Sequence, residues 1–279
     1  MQNTIAILYD FDKTLCTKDM QEYTFIPRVQ MTSDVFWAKA TDLATEKKMD
    51  SILAYMYLML ERAKAARVSI KRNEFVALGK DLEFFPGVET WFERMNKYSE
   101  ENGIQLEHYI ISSGLREIIE GSKIYSAFRE VFACEFLYDS DGNACWPKNA
   151  VNYTTKTQFL FRISKGALDI SDDKTVNRHT SRTDLAIPFS NMIYIGDGLT
   201  DVPCMKLVKS YGGYSIGVYR TPVTDEVKSL LIDKRVDFLF EANYQAQSEL
   251  EKTVQKIMLS MKKNTELKAL SEMQRNTLS

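Results

Sequence analysis

Short, wholly apolar runs punctuate this chain, and longer stretches with helical spacing separate them. Ile5 to Tyr9 is the first run, continuous enough to be a strand buried on both faces. From Cys16 to about Phe84 the pattern becomes helical. Ser33 precedes Val35-Phe36-Trp37, Asp50-Ser51 precedes the apolar stretch Ile52 to Leu60, and Phe75, Val76 and Leu78 recur in a third segment. Ser and Asp at such starts are expected N-caps, because their oxygens accept the free N–H groups of a first turn. Phe85-Pro86-Gly87 breaks this series, and Val88 to Tyr98 opens another helix.

The second half repeats the alternation. Tyr109-Ile-Ile111 is a strand, and Val131 to Tyr138 is another. Asp139-Ser-Asp-Gly142-Asn carries turn chemistry and predicts a β-hairpin returning through Ala144-Cys-Trp146. Thr154 to Lys165 predicts a helix with Phe159, Leu160 and Ile163 inward. Asp169 to Ser190 is polar and aperiodic, which predicts a surface insertion. Met192 to Ile195, Tyr214 to Val218 and Val236 to Phe240 are the remaining strands. Ser248 to Met261 predicts an amphipathic helix, followed by a frayed tail from Lys262 to Ser279.

What ends the strands carries the chemistry. The first runs into Asp10 and Asp12 and then Thr14; the strand at Met192 runs into Gly196-Asp197-Gly198 and Asp201; the strand at Tyr109 runs into Ser112-Ser113-Gly114. Burying carboxylates costs several kcal/mol, of order 3–5, unless they are paired. A hard cation with oxygen ligands is the usual compensation. Acid, hydroxyl and glycine at the carboxyl ends of three apolar strands describe an open, Rossmann-like parallel α/β sheet with its site at that edge.

Composition narrows the reading without changing it. A net charge of −2 gives no bulk attraction to nucleic acid or an anionic membrane. The run Ile52 to Leu60 is too short to span a bilayer. The first strand starts near Met1, so no secretory leader is expected, and a cytoplasmic protein is. The four cysteines, Cys16, Cys134, Cys145 and Cys204, lack metal-site spacing and are expected to be reduced thiols, with Cys134 and Cys145 the only pair that the hairpin could bring together. No P-loop lysine motif and no Gly-x-Gly-x-x-Gly fingerprint occurs, which argues against a nucleotide-driven motor or a Rossmann dehydrogenase.

The three motifs, Asp10-x-Asp12-x-Thr14, the strand ending in Ser112, and Gly196-Asp197-x-x-x-Asp201, resemble in type and order those of the haloacid dehalogenase superfamily, most closely its phosphoserine-phosphatase-like branch. The resemblance implies an α/β core from 1–15 and 85–279 and a helical cap from 16–84 lying over the site. It also implies a Mg²⁺-dependent phosphatase that hydrolyses a small phosphorylated metabolite through an aspartyl phosphate. Asp10 is then the nucleophile, and Asp12 the acid that protonates the leaving oxygen and later activates water. Asp10, the carbonyl of Asp12 and Asp197 hold the metal. Ser112, in preference to Ser113, binds the transferring phosphoryl group together with Gly114 and Thr14. Asp201 either orients these ligands or caps the next helix. Asp12 argues against a dehalogenase. A phosphotransferase or mutase, or a non-catalytic scaffold on the same fold, remains as an alternative, and oligomeric state is not legible. Cap residues Asp19, Glu22 and Arg28 are candidate substrate contacts, whereas Trp37, Met56, Tyr57 and Met59 are expected to be cap core. His108 is expected to be structural.

The superfamily also uses a lysine before the Gly-Asp motif, and Lys148, Lys156, Lys165 and Lys174 are available. Lys148 follows the hairpin and Lys174 sits among surface carboxylates. Lys156 and Lys165 bracket one helix on opposite faces, since each residue turns about 100°. Side chains lean toward a helix N-terminus, so Lys156 can reach the strand ends. Its place in a first turn opposes the helix dipole, and an anionic site would explain it. Lys156 is therefore the expected catalytic cation.

Overall fold

The structure is a computed structural model and describes residues 4–181 and 184–278. Seven strands form one sheet: β1 (Thr4–Tyr9), β2 (Gln105–Leu115), β3 (Glu130–Tyr138), β4 (Ala144–Asn149), β5 (Met192–Gly196), β6 (Tyr214–Tyr219) and β7 (Phe238–Glu241). Their order is β4-β3-β2-β1-β5-β6-β7, parallel throughout except for the antiparallel edge strand β4. β1 is central and buried along its whole length, which is why it is apolar at every position from Ile5 to Tyr9.

Among the described residues, twelve helices cover and extend this sheet. Between β1 and β2 lie α1 (Met20–Tyr23), α2 (Phe25–Arg28), α3 (Ser33–Lys47), α4 (Ser51–Ala66), α5 (Arg72–Leu78) and α6 (Val88–Glu101). After β2 come α7 (Arg116–Glu120), α8 (Lys156–Lys165), α9 (Asp173–Asn177), α10 (Val202–Ser210), α11 (Asp225–Ile232) and α12 (Glu249–Leu278). α6 and α12 pack together, and α8 and α10 do the same on the opposite face. Asp50 caps α4, its Oδ1 accepting from the N–H groups of Ile52 (2.9 Å) and Leu53 (3.1 Å). Its Oδ2 accepts from the side-chain amide of Asn152 at 2.8 Å, tying α4 to the loop before α8. Ser33 is the first residue of α3 and not its cap.

Two expectations change, and a third, the surface insertion, is refined. β2 continues through Ser112, Ser113 and Gly114, and its pairing with β3 shifts register between Ile111 and Leu115. The expected fray after Met261 does not occur, because α12 runs unbroken to Leu278. The segment after Asp169 is not structureless. Arg162 of α8 donates to the carbonyls of Asp169 (2.9 Å) and Ile170 (3.0 Å), and the short helix α9 follows. All four cysteines are free; Cys134 is buried and Cys145 exposed. Among the described residues, no helix is long and apolar enough to cross a membrane.

Candidate active site

The chain leaves β1 to build one half of the sheet and comes back through β5, beside β1, to build the other. Where strand order reverses in this way, the carboxyl ends of the two strands splay and leave a crevice. Asp10 follows β1 and Asp197 follows β5, so both carboxylates are delivered to the crevice. The backbone continues the pairing, with the Asp10 N–H donating to the Ile195 carbonyl at 2.9 Å.

Lys156, at the start of α8, reaches the same point and is almost completely buried. Its Nζ donates to Asp10 Oδ1 at 2.9 Å and to Asp201 Oδ1 at 2.8 Å. Asp201 accepts further from Tyr194 Oη at 2.7 Å. Although Asp201 stands at the cap position of α10, its side chain makes no cap hydrogen bond. Asp10, Asp197 and Asp201 each present a carboxylate oxygen, and these oxygens lie within 4.8 Å of one another. Thr14 Oγ1 donates to Asp197 Oδ1 at 3.4 Å. Lys165 is remote, donating to the carbonyls of Val176 and Arg178 at 2.7 Å each. Lys148 pairs with Glu135 at 2.8 Å.

Asp12 faces the start of the helical insertion. Its Oδ1 accepts from the Met20 N–H at 2.8 Å. Gly114 is what lets β2 approach this carboxylate, since a Cβ there would lie 2.8 Å from Asp12 Oδ2 and 2.1 Å from Met20 Cε. Gly196 plays the same part for Asp201, whose Oδ2 would sit 2.5 Å from an added Cβ. Ser112 Oγ accepts from the Gly114 N–H at 3.0 Å, which leaves its own proton to donate. Ser113 Oγ is buried without a partner.

Burial dominates the electrostatics. It pushes the Asp10 carboxyl up to about 6; Lys156 pulls it down and Asp201 up again. Burial also raises Asp12 well above the usual carboxylate range, with Asp19 and Asp10 adding to the effect. Asp197 is raised by burial and by the charges of Asp201 and Asp10. For Lys156 burial acts downward, but Asp10 and Asp201 outweigh it and hold its pKa above the ordinary lysine value.

A cavity of about 320 Å³ opens over these groups. Asp10, Asp12, Lys156 and Asp197 form its floor, and Trp37, Tyr55 and Tyr153 are among its walls. A larger cleft of about 440 Å³ beside α6 holds no comparable cluster; its lining includes Glu89 and Lys123, an exposed ion pair. Chemistry and not size singles out the smaller one. Lys13, Gln21, Tyr55 and Tyr153 line it without having been recognised in the sequence, and Trp37 lines it while also packing against the core. Met56 and Met59 are buried as expected, whereas Tyr57 is exposed. Of the cap residues proposed to meet a substrate, Asp19 is in the lining. Arg28 lies outside, 3.9 Å from Glu74 on the surface.

The fold has solved counterparts. A haloacid dehalogenase family hydrolase from Salmonella enterica serovar Typhi superposes with a TM-score of 0.56 at 17% identity, over 89% of this chain and 72% of that one. The phospho-aspartyl intermediate analogue of a phosphoserine phosphatase gives 0.54 at 16% identity, over 85% of this chain and 93% of that one. In sequence, an uncharacterised protein of Borreliella burgdorferi is 29% identical, over 93% of this chain and 99% of its own length. Residues 7–206, from within β1 into α10, match the haloacid dehalogenase-like hydrolase family as one continuous stretch. With its acids and lysine converging at the switch point of the sheet, this chain belongs to the haloacid dehalogenase-like hydrolases.

Proposed function

We propose that the protein is a Mg²⁺-dependent phosphatase that hydrolyses a small phosphorylated metabolite through an aspartyl phosphate on Asp10. The observation that carries this reading is the buried Asp10 carboxylate, held by Lys156 at 2.9 Å and open to the cavity. A lone buried acid would be protonated and inert. This one keeps a lysine partner that favours its charged, nucleophilic form.

The donor set fits a hard divalent cation. It consists of oxygens alone, three carboxylates against one lysine, and burial together with the neighbouring carboxylate charges raises the Asp10 and Asp197 pKa values, which added positive charge would offset. Asp10, Asp197 and the Asp12 carbonyl would hold the ion, with Asp201 orienting Lys156. When bound, the ion supplies positive charge that offsets the phosphoryl dianion beside Asp10. Asp10 attacks phosphorus, and the ester P–O bond breaks. Asp12, whose burial raises its pKa well above the usual carboxylate range and so favours its protonated form, gives its proton to the leaving oxygen. The carboxylate so formed then takes a proton from the water that cleaves the acyl phosphate. Ser113, which lines the cavity with an unpartnered Oγ where Ser112 does not, would bind the phosphoryl oxygens with the amide region at Gly114 and Thr14. Residues 16–84 act as the cap that excludes water, over a core of 1–15 and 85–279.

The test is release of inorganic phosphate from a generic aryl phosphate with and without Mg²⁺, combined with mass analysis of acid-quenched Asp12→Asn protein. Phosphate on the peptide bearing Asp10 supports the covalent route. Turnover that leaves Asp10 unlabelled and survives Asp10→Asn would sink it.

A further inference from the structure

We propose that the leaving-group side of the cavity recognises a cation, so that the substrate is the phosphate monoester of a small amino alcohol carrying an ammonium group and no carboxylate. This rests on the phosphatase reading of the same site. The first reason is that the positive charges there are already committed. Among the described residues lining the cavity, the cations are Lys156, held by Asp10 and Asp201, and Lys13, whose Nζ lies 2.6 Å from Asp19 Oδ2. No arginine is among them. A substrate carboxylate would enter beside Asp12 and Asp19 with no uncommitted cation in the lining to meet it, and a desolvated charge without a counter-charge is costly.

The second reason is what faces the leaving group. Trp37 and Tyr55 meet edge to face, ring centroids 5.8 Å apart, and Tyr153 adds a third ring at the rim. Trp37 is anchored by its indole N–H, which donates to Glu22 Oε1 at 3.0 Å and brings a carboxylate to the edge of the ring. Tyr55 is anchored by its hydroxyl, which donates to the Ser113 carbonyl at 2.7 Å. Aromatic faces attract ammonium groups through the ring quadrupole, and tryptophan does so best. Gln21 supplies an acceptor: it lines the cavity, is 2% exposed, and its Oε1 has no hydrogen-bond partner. A buried acceptor left unmatched is costly, and an ammonium N–H or polarised N–CH group would satisfy it.

Charge balance points the same way. The lining holds four carboxylates, Asp10, Asp12, Asp19 and Asp197, against two lysines. With Asp12 carrying the proton it donates, a divalent cation brings this formal sum to plus one, and a phosphate dianion then makes it negative by one. A cationic leaving group recovers one charge, whereas a carboxylate adds another of the wrong sign.

The experiment compares kcat/KM of the full chain with Mg²⁺ on phosphocholine, phosphoethanolamine, phosphoserine, a generic aryl phosphate, and the neutral isostere of phosphocholine in which carbon replaces nitrogen. A cation-specific wall predicts that phosphocholine or phosphoethanolamine exceeds both phosphoserine and the isostere by about tenfold or more. Trp37→Leu should bring the ratio of cation to isostere toward one, and Trp37→Phe should keep most of it. Equal rates on cation and isostere, a preference for phosphoserine, or a ratio untouched by Trp37→Leu overturns the inference while leaving a phosphatase. Phosphate release from none of these compounds, the aryl phosphate included, overturns the phosphatase reading and the inference with it.

Discussion

Tyr9 and Asp10 are neighbours on one extended backbone and equally withdrawn from water, yet they enter opposite kinds of surroundings. Tyr9 faces α6, where every polar atom is matched by a neutral one. The Trp91 indole N–H donates to Tyr9 Oη at 2.8 Å, Tyr9 Oη bonds His108 Nδ1 at 3.0 Å, and His108 Nε2 bonds Asn96 Oδ1 at 3.0 Å. Burial depresses the His108 pKa to about 3, so the ring is neutral and the chain of bonds is complete. Asp10 faces α8, where three carboxylates gather and one lysine pairs with two of them. One side of the strand is finished in itself; the other is electrostatically incomplete and needs something added. Buried polar groups that are fully matched hold a fold together, whereas buried charge kept in excess is where a ligand is to be sought.

The largest effect should come from the incomplete side. Asp10→Asn keeps the shape but removes the proposed nucleophile, and phosphate release should fall by about 10⁴-fold or more with the thermal midpoint little changed. Near wild-type turnover in a folded variant would put the chemistry elsewhere. Next is the matched pair Lys156→Ala and Lys165→Ala. The first leaves Asp10 and Asp201 buried without a cation, which should cost about 3–5 kcal/mol of stability along with turnover. The second should alter neither much, because Lys165 meets only two backbone carbonyls. The reverse result in urea titrations and assays would reassign the lysine. Asp197→Asn should weaken Mg²⁺ binding by about 10–100-fold and be rescued in part by excess Mg²⁺. Unchanged affinity by calorimetry would remove Asp197 from the ligand set.

The finished side should respond in stability and not in rate. An unfolded histidine titrates near 6.5, above the value of about 3 in the fold. Between those limits the unfolded chain binds a proton that the folded chain refuses. The His108 contribution is therefore fully present above about pH 6.5 and is lost as pH falls, by roughly 2 kcal/mol at pH 5. His108→Gln should flatten that slope in urea unfolding between pH 7 and pH 5, with kcat/KM at neutral pH unchanged. An identical slope in variant and wild type would mean that His108 titrates normally.

The contrast between the two sides was only partly written in the sequence. Asp10, Asp12, Asp197 and Asp201 were legible because each follows closely on the end of a strand, and strand ends of a parallel sheet meet at one edge whatever the loops do. Lys156 was legible for a related reason: a cation in a first turn opposes the helix dipole and asks for an anion nearby. Ser112 was legible as a strand-end hydroxyl, although the strand carries on past it through a register shift that local pattern does not signal. Trp37 and Tyr55 were not legible as walls. Ile52, Tyr55, Met56 and Met59 recur at helical spacing, and that stripe looks the same whether it meets a core or a cavity.

The sequence by itself determined the parallel α/β class, the edge at which chemistry gathers and the residues that end its strands, because apolar runs and their terminating acids are local features of the chain. Only the tertiary structure decided which of those acids Lys156 bridges, that Asp201 turns from its helix toward Tyr194, and that Arg28 points away while Trp37 turns in. Those outcomes depend on contacts between residues far apart in the chain, and no local pattern encodes which face of a helix will meet the sheet and which will be left to line a space.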